Sequence, residues 1–162
     1  MGNSRRLVMR IAVLADTHVS LLKHIPKKII DAICTADLII HAGDFTAVQV
    51  LEELKQLREV KAVQGNMDSI ELRTMLPVKE IIEIENKRIG ITHGSGTPQG
   101  MEQRVRKMFE GDQIDIIIYG HSHQRQNKVS DDILFFNPGK ARDSFGILTI
   151  DKGIKGEIIS SR

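Results

Sequence analysis

Five hydrophobic runs mark this chain of 162 residues, and each of them leads directly into a short polar motif. The runs cover residues 11–15, 38–42, 61–64, 88–92 and 114–119 and consist largely of Ile, Val, Leu and Ala. An apolar run without polar alternation is typical of a strand that is buried on both faces. The pattern therefore predicts five buried strands, each of which ends at a polar turn.

The segments between the first three strands have apolar residues at helical spacing. Ile25, Ile29, Ile30 and Ile33 recur at intervals that favour one apolar helix face, and a second such stripe covers residues 46–58. A strand–helix–strand–helix–strand series indicates parallel pairing with right-handed crossovers. The first half of the chain is therefore predicted to be α/β.

The pattern changes near Pro77, where two strands, 80–84 and 88–92, flank a turn at 85–87 that favours antiparallel pairing. A third helix is predicted to begin at Thr97. After the strand at 114–119, the rest of the chain predicts a β meander with strands at 126–129, 133–136, 145–150 and 154–159. The second half is therefore predicted to be antiparallel.

Composition fits one globular domain, with 41% hydrophobic and 27% charged residues. We expect residues 1–9 to form a flexible tail and residues 10–162 a single domain. A net charge of +2, scattered over the chain, and an aromatic content of 4% argue against nucleic acid as a partner. One cysteine, Cys34, excludes an intrachain disulfide and is expected to be a buried helix residue. The absence of a long apolar run argues against a membrane partner and favours a cytoplasmic protein.

The polar motifs are rich in groups that bind metals. They are Asp16-Thr17-His18, Gly43-Asp44, Gly65-Asn66-Met67-Asp68, His93-Gly94 and Gly120-His121-Ser122-His123. Residues just beyond the carboxyl ends of buried strands gather in one crevice of an open α/β sheet. Each motif also has a structural interpretation, since Asp16 and Asp44 could cap helices and the last motif could be a polar turn. All of these interpretations would have to hold together, so the set predicts a metal site.

In this order, the five motifs resemble those of the calcineurin-like metallophosphoesterase superfamily, which run Asp-x-His, Gly-Asp, Gly-Asn, Gly-His and Gly-His-x-His. The resemblance covers Arg10 to about Gly139, and the spacing is similar to that of the small stand-alone prokaryotic and archaeal phosphodiesterases. It implies an α/β fold in which two mixed β-sheets, flanked by helices, form a four-layer α-β-β-α sandwich.

The resemblance also implies a dinuclear metal site. One ion would be held by Asp16, His18, Asp44 and His123, and the other by Asp44, Asn66, His93 and His121, with Asp44 as the bridge. Asp44, Asn66 and His93 are the implied catalytic residues. A ligand set of imidazole and oxygen without thiolate suits Mn²⁺, Ni²⁺, Fe²⁺, Co²⁺ or Zn²⁺, of which Mn²⁺ is expected. The implied reaction is hydrolysis of a small phosphodiester by a hydroxide that bridges the two ions.

The chain departs from the family pattern at Met67, where many members have a histidine that protonates the leaving group. Methionine has no proton to donate, although the small phosphodiesterase branch also lacks this histidine. Asp68 is expected to orient a neighbouring ligand or to cap the following helix. His41 has two interpretations, as support for a ligand or as a core histidine. Lys140 is interpreted as a solvated surface charge, with binding of an anionic substrate near the site as the alternative.

Two alternatives to a small-molecule phosphodiesterase stay open. One is a nuclease or nucleotide phosphatase that uses the same site. The other is a non-catalytic metal-binding scaffold, because the retromer subunit of this superfamily resembles that case. Retention of all seven ligand positions favours catalysis. The edge strands expected in the second half could also pair with those of a second copy and form a homodimer.

Overall fold

A computed structural model describes residues 7–162 of the chain. Within this range the strands are β1 (Met9–Leu14), β2 (Leu38–His41), β3 (Val60–Ala62), β4 (Lys79–Ile84), β5 (Lys87–Thr92), β6 (Ile116–Ile118), β7 (Gln126–Ser130), β8 (Ile133–Asn137), β9 (Ser144–Ile150) and β10 (Ile154–Ser160). The helices are α1 (Lys27–Cys34), α2 (Val48–Leu57), α3 (Ile70–Met75) and α4 (Met101–Met108), and a single 3₁₀ turn covers Leu22–His24. The predicted tail falls largely on residues 1–6, outside the described residues, and β1 begins at Met9.

The strands form two five-stranded sheets. The first sheet has the order β10-β9-β1-β2-β3 and the second the order β4-β5-β6-β8-β7. Parallel pairing of β1 with β2 and of β2 with β3 confirms the prediction for the first half of the chain. Residues 11–14 of β1 are fully buried, because β1 lies in the middle of its sheet with layers on both faces.

The predicted meander is wrong in its topology, although all four of its strands exist. The β7–β8 hairpin belongs to the second sheet, whereas β9 and β10 belong to the first. The second half is also not purely antiparallel, since β6 pairs in parallel with both β5 and β8. The physical reason is burial: β8 and β9 are apolar on both faces, and each becomes an interior strand of its own sheet.

Three apolar clusters separate four layers. The central cluster, which includes Val13, Ile40, Ile91 and Ile118, fills the space between the two sheets. A second cluster packs α1 and α2 on the outer face of the first sheet, and a third packs α4 on the outer face of the second. The structure thus has the four-layer α-β-β-α arrangement with two mixed sheets.

One local expectation is wrong, and the two alternatives for Asp68 are resolved. Cys34 is exposed, because it ends α1 away from the face on which Ile29 and Ile33 are buried. The residue that caps α3 is Ser69, whose side chain accepts a hydrogen bond from the Leu72 N–H, and not Asp68. Among the described residues, every helix falls short of the length and apolarity that a membrane crossing requires.

Candidate metal centre

The seven predicted ligands all lie just beyond the carboxyl ends of strands, in the region where the two sheets meet. Asp16 and His18 follow β1, Asp44 follows β2, Asn66 follows β3, His93 follows β5, and His121 and His123 follow β6. Two sheets therefore contribute to one centre, and side chains that are more than a hundred positions apart in the chain come into contact. The His121 N–H, for example, donates to Asp16 Oδ2 at 3.2 Å.

Asp44 lies at the middle of the group. Its Oδ2 is 3.6 Å from His18 Nε2 on one side and 3.3 Å from His93 Nε2 on the other. Its Oδ1 accepts a hydrogen bond from the Met67 N–H at 2.8 Å, which fixes the rotation of the carboxylate. This arrangement leaves one oxygen facing histidines that come from both sheets, as a bridging ligand would require.

We call Asp16, His18 and His123 the first ligand group. Asp16 Oδ1 lies 3.9 Å from His18 Nε2 and 3.6 Å from His123 Nε2, and the ligand atoms of the three residues are close enough to hold one ion. Asp16 Oδ1 and His18 Nε2 are buried and have no hydrogen-bond partner among residues 7–162. Buried polar atoms are rarely left unpaired, and a cation would satisfy both of them.

We call Asn66, His93 and His121 the second ligand group. His93 Nδ1 lies 2.7 Å from the Ala42 carbonyl, to which it donates, so Nε2 is the nitrogen that would bind a cation in the neutral ring. That nitrogen faces Asn66 Oδ1 at 3.0 Å as well as Asp44 Oδ2. His121 Nε2 donates to the Gly96 carbonyl at 3.0 Å, which leaves the lone pair of Nδ1 facing Asn66 Oδ1 at 3.1 Å. Lone pairs that converge in this way suit a shared cation.

Burial and charge shift the pKa values of these groups. Burial is the main influence on Asp16 and raises its pKa to about 7. Burial also lowers the pKa of His18 and of His123, so both imidazoles favour the neutral form that binds a metal. For Asp44 burial acts to raise the pKa, but the hydrogen bond and charge of His93 outweigh it and the pKa is lowered.

Backbone strain is concentrated at the ligands. Five of the seven have a left-handed backbone: Asp16 (φ 52°), His18 (47°), Asp44 (64°), His121 (66°) and His123 (59°). Such a conformation is uncommon for a residue with a side chain and costs on the order of 1–3 kcal/mol. Gly43 lets the loops approach closely, because a Cβ atom there would lie 2.8 Å from His93 Nδ1. The fold therefore holds these loops in backbone conformations that are unfavourable for residues with a side chain.

His41 turns out to combine both interpretations that the sequence left open. It is fully buried and its ring stacks on Phe45 at 3.5 Å. The Gly43 N–H donates to its Nδ1 at 3.1 Å, so Nε2 is the protonated nitrogen and donates to Thr17 Oγ1, also at 3.1 Å. Thr17 in turn donates to the Asp44 carbonyl at 3.3 Å. Burial, together with the charge of His93, lowers the pKa of His41 to about 3, so the neutral ring joins the Asp16 loop to the Asp44 loop.

Asp68 orients a ligand loop, as predicted. Its carboxylate accepts hydrogen bonds from the backbone N–H groups of Asp44 (3.1 Å), Thr46 (2.8 Å) and Gly65 (2.8 Å). Three donors hold this buried side chain in place and connect the loop after β2 with the loop after β3. Asp68 therefore fixes the position of Asp44 through contacts separate from those of His41.

Met67 and Lys140 also influence the centre, the first through its backbone and the second through its charge. Met67 contributes its backbone N–H, but its side chain is 58% exposed. Lys140 is only half-buried, yet its positive charge is among the influences that lower the pKa values of Asp16, His18 and His123. The interpretation of Lys140 as a purely solvated charge is therefore incomplete, because the loop after β8 brings it near the first ligand group.

Comparisons with known proteins identify the superfamily to which this fold and this candidate centre belong. Residues 9–152 match the sequence profile of the calcineurin-like phosphoesterase superfamily domain. A protein of Methanocaldococcus jannaschii named "Probable metallophosphoesterase" is 40% identical over 133 residues, which cover 81% of this chain and 67% of that protein. A phosphodiesterase of the same organism is 29% identical over an alignment of 174 positions that spans 93% of this chain and 99% of the relative. The chain belongs to the calcineurin-like phosphoesterase superfamily.

Solved structures show the same fold. An archaeal phosphodiesterase superimposes with a TM-score of 0.72 at 25% identity and covers 93% of this chain and 100% of its own. Vps29 from Chaetomium thermophilum superimposes with a TM-score of 0.76 at 17% identity and covers 95% and 100% of the two chains. The second likeness is one of fold alone.

Proposed function

We propose that this protein is a phosphodiesterase that hydrolyses small phosphodiesters with two divalent transition-metal ions, of which Mn²⁺ is the first candidate. The observation that carries the proposal is the position of Asp44 Oδ2 between His18 Nε2 and His93 Nε2, at 3.6 Å and 3.3 Å. A carboxylate placed between two sets of nitrogen and oxygen ligands suits a pair of ions that share it. Membership of the phosphoesterase superfamily and the relative named as a phosphodiesterase support the same conclusion.

The ligand groups assign residues to each ion. Asp16, His18 and His123 would hold one ion and Asn66, His93 and His121 the other, with Asp44 shared between them. When bound, such ions supply an activated water at neutral pH and offset the negative charge that develops on the phosphoryl oxygens. The chain adds a positive charge at Lys140, close enough to the first ligand group to attract an anionic phosphodiester.

Met67 limits the range of substrates. Its side chain stands where many relatives of this superfamily have a proton-donating histidine, and a thioether has no proton to give. General acid catalysis is typically worth about 10²–10⁴-fold in rate. Substrates whose leaving group departs without protonation, such as an aryl phosphodiester, should therefore be turned over best.

The proposal is tested by hydrolysis of bis(4-nitrophenyl) phosphate. The wild-type protein reloaded with Mn²⁺ is compared with the metal-stripped protein, with His121→Ala and with His24→Ala. His24 is a matched control, because it is an exposed histidine in the 3₁₀ turn before α1, outside both ligand groups. We expect turnover in the wild type and in His24→Ala, and its loss on metal removal and in His121→Ala.

The remaining outcomes separate the alternatives. Two bound ions without turnover of this reactive ester would contradict the phosphodiesterase and favour a non-catalytic scaffold. Failure of the wild type to bind Mn²⁺ or another divalent transition metal would contradict the assignment of the centre itself. Turnover of a phosphomonoester above that of the diester would favour a phosphatase.

A scaffold is the second candidate because the fold likeness to Vps29 is as close as the likeness to the archaeal phosphodiesterase. The convergence of all seven ligand side chains at one centre favours the enzyme. A scaffold would also keep its partner binding in His121→Ala, whereas the phosphodiesterase loses its turnover.

A further inference from the structure

A polar cavity lies beside the metal centre. It has a volume of about 240 Å³ and is formed by the beginning of α4, at residues 100–103, and by the segment that leads from β6 to β7, at residues 119–126. Ser122 lines this cavity and stands in the chain between the ligands His121 and His123. The loop that carries His121 and His123 therefore also forms part of the cavity. A second cavity, of about 370 Å³, lies at the end of α4 and is lined by none of the seven metal ligands.

The lining of the polar cavity is rich in uncharged groups that form hydrogen bonds. The side-chain amides of Gln103, Gln124 and Gln126 line it, and among residues 7–162 none of the three has a hydrogen-bond partner. Each amide can donate and accept at the same time. Gln103 and Gln124 are exposed and Gln126 is half-buried, so the lining offers donors and acceptors that a bound ligand can reach.

The two ionisable groups of the lining do not make it charged. Glu102 is paired with Lys128 at 3.0 Å and with Arg106 at 3.7 Å, which balance its charge. Burial and, after it, the Glu102 charge raise the pKa of Tyr119 to about 12, so the hydroxyl keeps its proton and can donate. The cavity therefore suits a neutral polar group and offers little to a second phosphate.

We infer that this cavity binds the uncharged, hydrogen-bonding ester group of a small phosphodiester, of the nucleoside class, while the phosphate lies at the metal centre. Glutamine amides pair with the donor and acceptor edges of nucleobases, and the hydroxyls of Ser122 and Tyr119 suit the sugar. The volume is below the roughly 300–1,000 Å³ of a typical drug-sized site, so it accommodates one ester group and no longer chain. This inference rests on the proposed phosphodiesterase activity.

The test compares two esters that release the same leaving group. Bis(4-nitrophenyl) phosphate and thymidine 5′-(4-nitrophenyl phosphate) differ only in the ester group that stays on phosphorus. The ratio of their kcat/KM values is measured in the wild type, in a Gln124→Ala/Gln126→Ala variant and in Gln113→Ala. Gln113 is an exposed glutamine outside the cavity and serves as the matched control.

We expect the double variant to lower the ratio of the thymidine ester to the aryl ester by about tenfold, as the loss of two hydrogen bonds predicts. Gln113→Ala should keep the wild-type ratio. An unchanged ratio in the double variant, with both esters still hydrolysed, would overturn the inference and leave the phosphodiesterase intact. Failure of the Mn²⁺-loaded wild type to hydrolyse either ester would overturn the proposed function and this inference with it.

A binding measurement provides a readout that is independent of turnover. Thymidine is titrated into ¹⁵N-labelled, metal-free protein, and the backbone amide signals are followed by NMR. The expected result is a set of shifts concentrated at residues 100–103 and 119–126 that is lost in the double variant. Shifts confined to other parts of the chain, or none up to the solubility of thymidine, would overturn the inference.

Discussion

The two ligand groups differ in how far the protein alone satisfies them. In the second group, His93 and His121 each donate one ring N–H to a backbone carbonyl, which fixes the orientation of both rings. In the first group, Asp16 Oδ1 and His18 Nε2 are buried without a hydrogen-bond partner in the described part of the chain. The second group is thus held in shape by protein contacts, whereas the first group depends on a cation to be satisfied.

This difference follows from the positions of the ligand residues in the fold. His18 and Asp16 come from one loop after β1, both with a left-handed backbone, and Asp16 is fully buried between the sheets. His93 lies directly after β5, where a carbonyl of the neighbouring sheet, that of Ala42, is within reach of its ring. Strain and unsatisfied burial therefore fall mainly on the first group, and the predictions below test that asymmetry.

The largest effect is expected from Asp44→Asn, which acts on both groups at once. Asparagine tolerates the left-handed backbone of this position but removes the charge that two ions would share. We expect kcat/KM for bis(4-nitrophenyl) phosphate to fall on the order of 10³-fold, beyond the roughly 10–100-fold that follows loss of a supporting residue. Metal analysis should find fewer than two ions per chain. Wild-type activity and metal content in this variant would contradict the shared role of Asp44.

Asp16→Asn should stabilise the metal-free protein at pH 8. The pKa of Asp16 is raised from 3.8 to about 7 on folding, mainly by burial, so the carboxylate destabilises the fold above pH 7 and not below the unfolded pKa. Each unit of such a shift is worth about 1.4 kcal/mol, so we expect a gain of a few kcal/mol at pH 8 that shrinks towards pH 4. Thermal unfolding at both pH values measures this, with the exposed Asp112 changed to Asn as the control. Equal gains at both pH values would contradict the account.

His41→Phe should weaken metal binding without removing a ligand. Phenylalanine keeps the stacking on Phe45 but loses the hydrogen bonds to Gly43 and Thr17 that join the loops of Asp16 and Asp44. A loss of about 10–100-fold in Mn²⁺ affinity is expected, measured by isothermal titration calorimetry. His41→Asn, which can still accept from the Gly43 N–H, should recover part of the loss. Equal affinities for wild type and His41→Phe would show that His41 is only a core residue.

The smallest effect is expected from Lys140→Ala, which removes a charge that acts from outside both groups. An exposed ionic contact is worth about 0.2–1 kcal/mol, so KM for a phosphodiester should rise about 2–5-fold, with less change in kcat. Lys152→Ala, in the exposed turn between β9 and β10, is the control. A fall in kcat at constant KM would contradict a role in attracting the substrate.

Much of this centre could be predicted from the sequence, because its ligands sit in short motifs directly after buried strands. The apolar run before Asp16 and the run before His121 each predict a strand. Parallel strands have their carboxyl ends at the same edge of a sheet, so the residues that follow them are predicted to lie together. The division of the last four strands between the two sheets could not be predicted. Phe135 and Ile147 both lie in apolar, strand-forming runs, and they differ only in the layer that buries them.

Supporting residues were harder to predict than ligands. His41 lies inside a strand, and its role depends on Thr17 and Gly43 being within hydrogen-bond distance, which only the tertiary structure decides. Lys140 lies in the segment that connects β8 in the second sheet to β9 in the first. The course of this segment brings Lys140 near the first ligand group. Residues whose function depends on contacts between loops leave no periodic signal in the chain.

The most direct test of the central claim is a Mn²⁺ titration of the metal-free wild type, followed by electron paramagnetic resonance. The account predicts two ions per chain and, at full loading, the signal of an exchange-coupled Mn²⁺ pair, because Asp44 Oδ2 lies between the two ligand groups. A single bound ion, or two ions that keep the separate six-line spectra of isolated Mn²⁺, would contradict a centre built around one shared carboxylate.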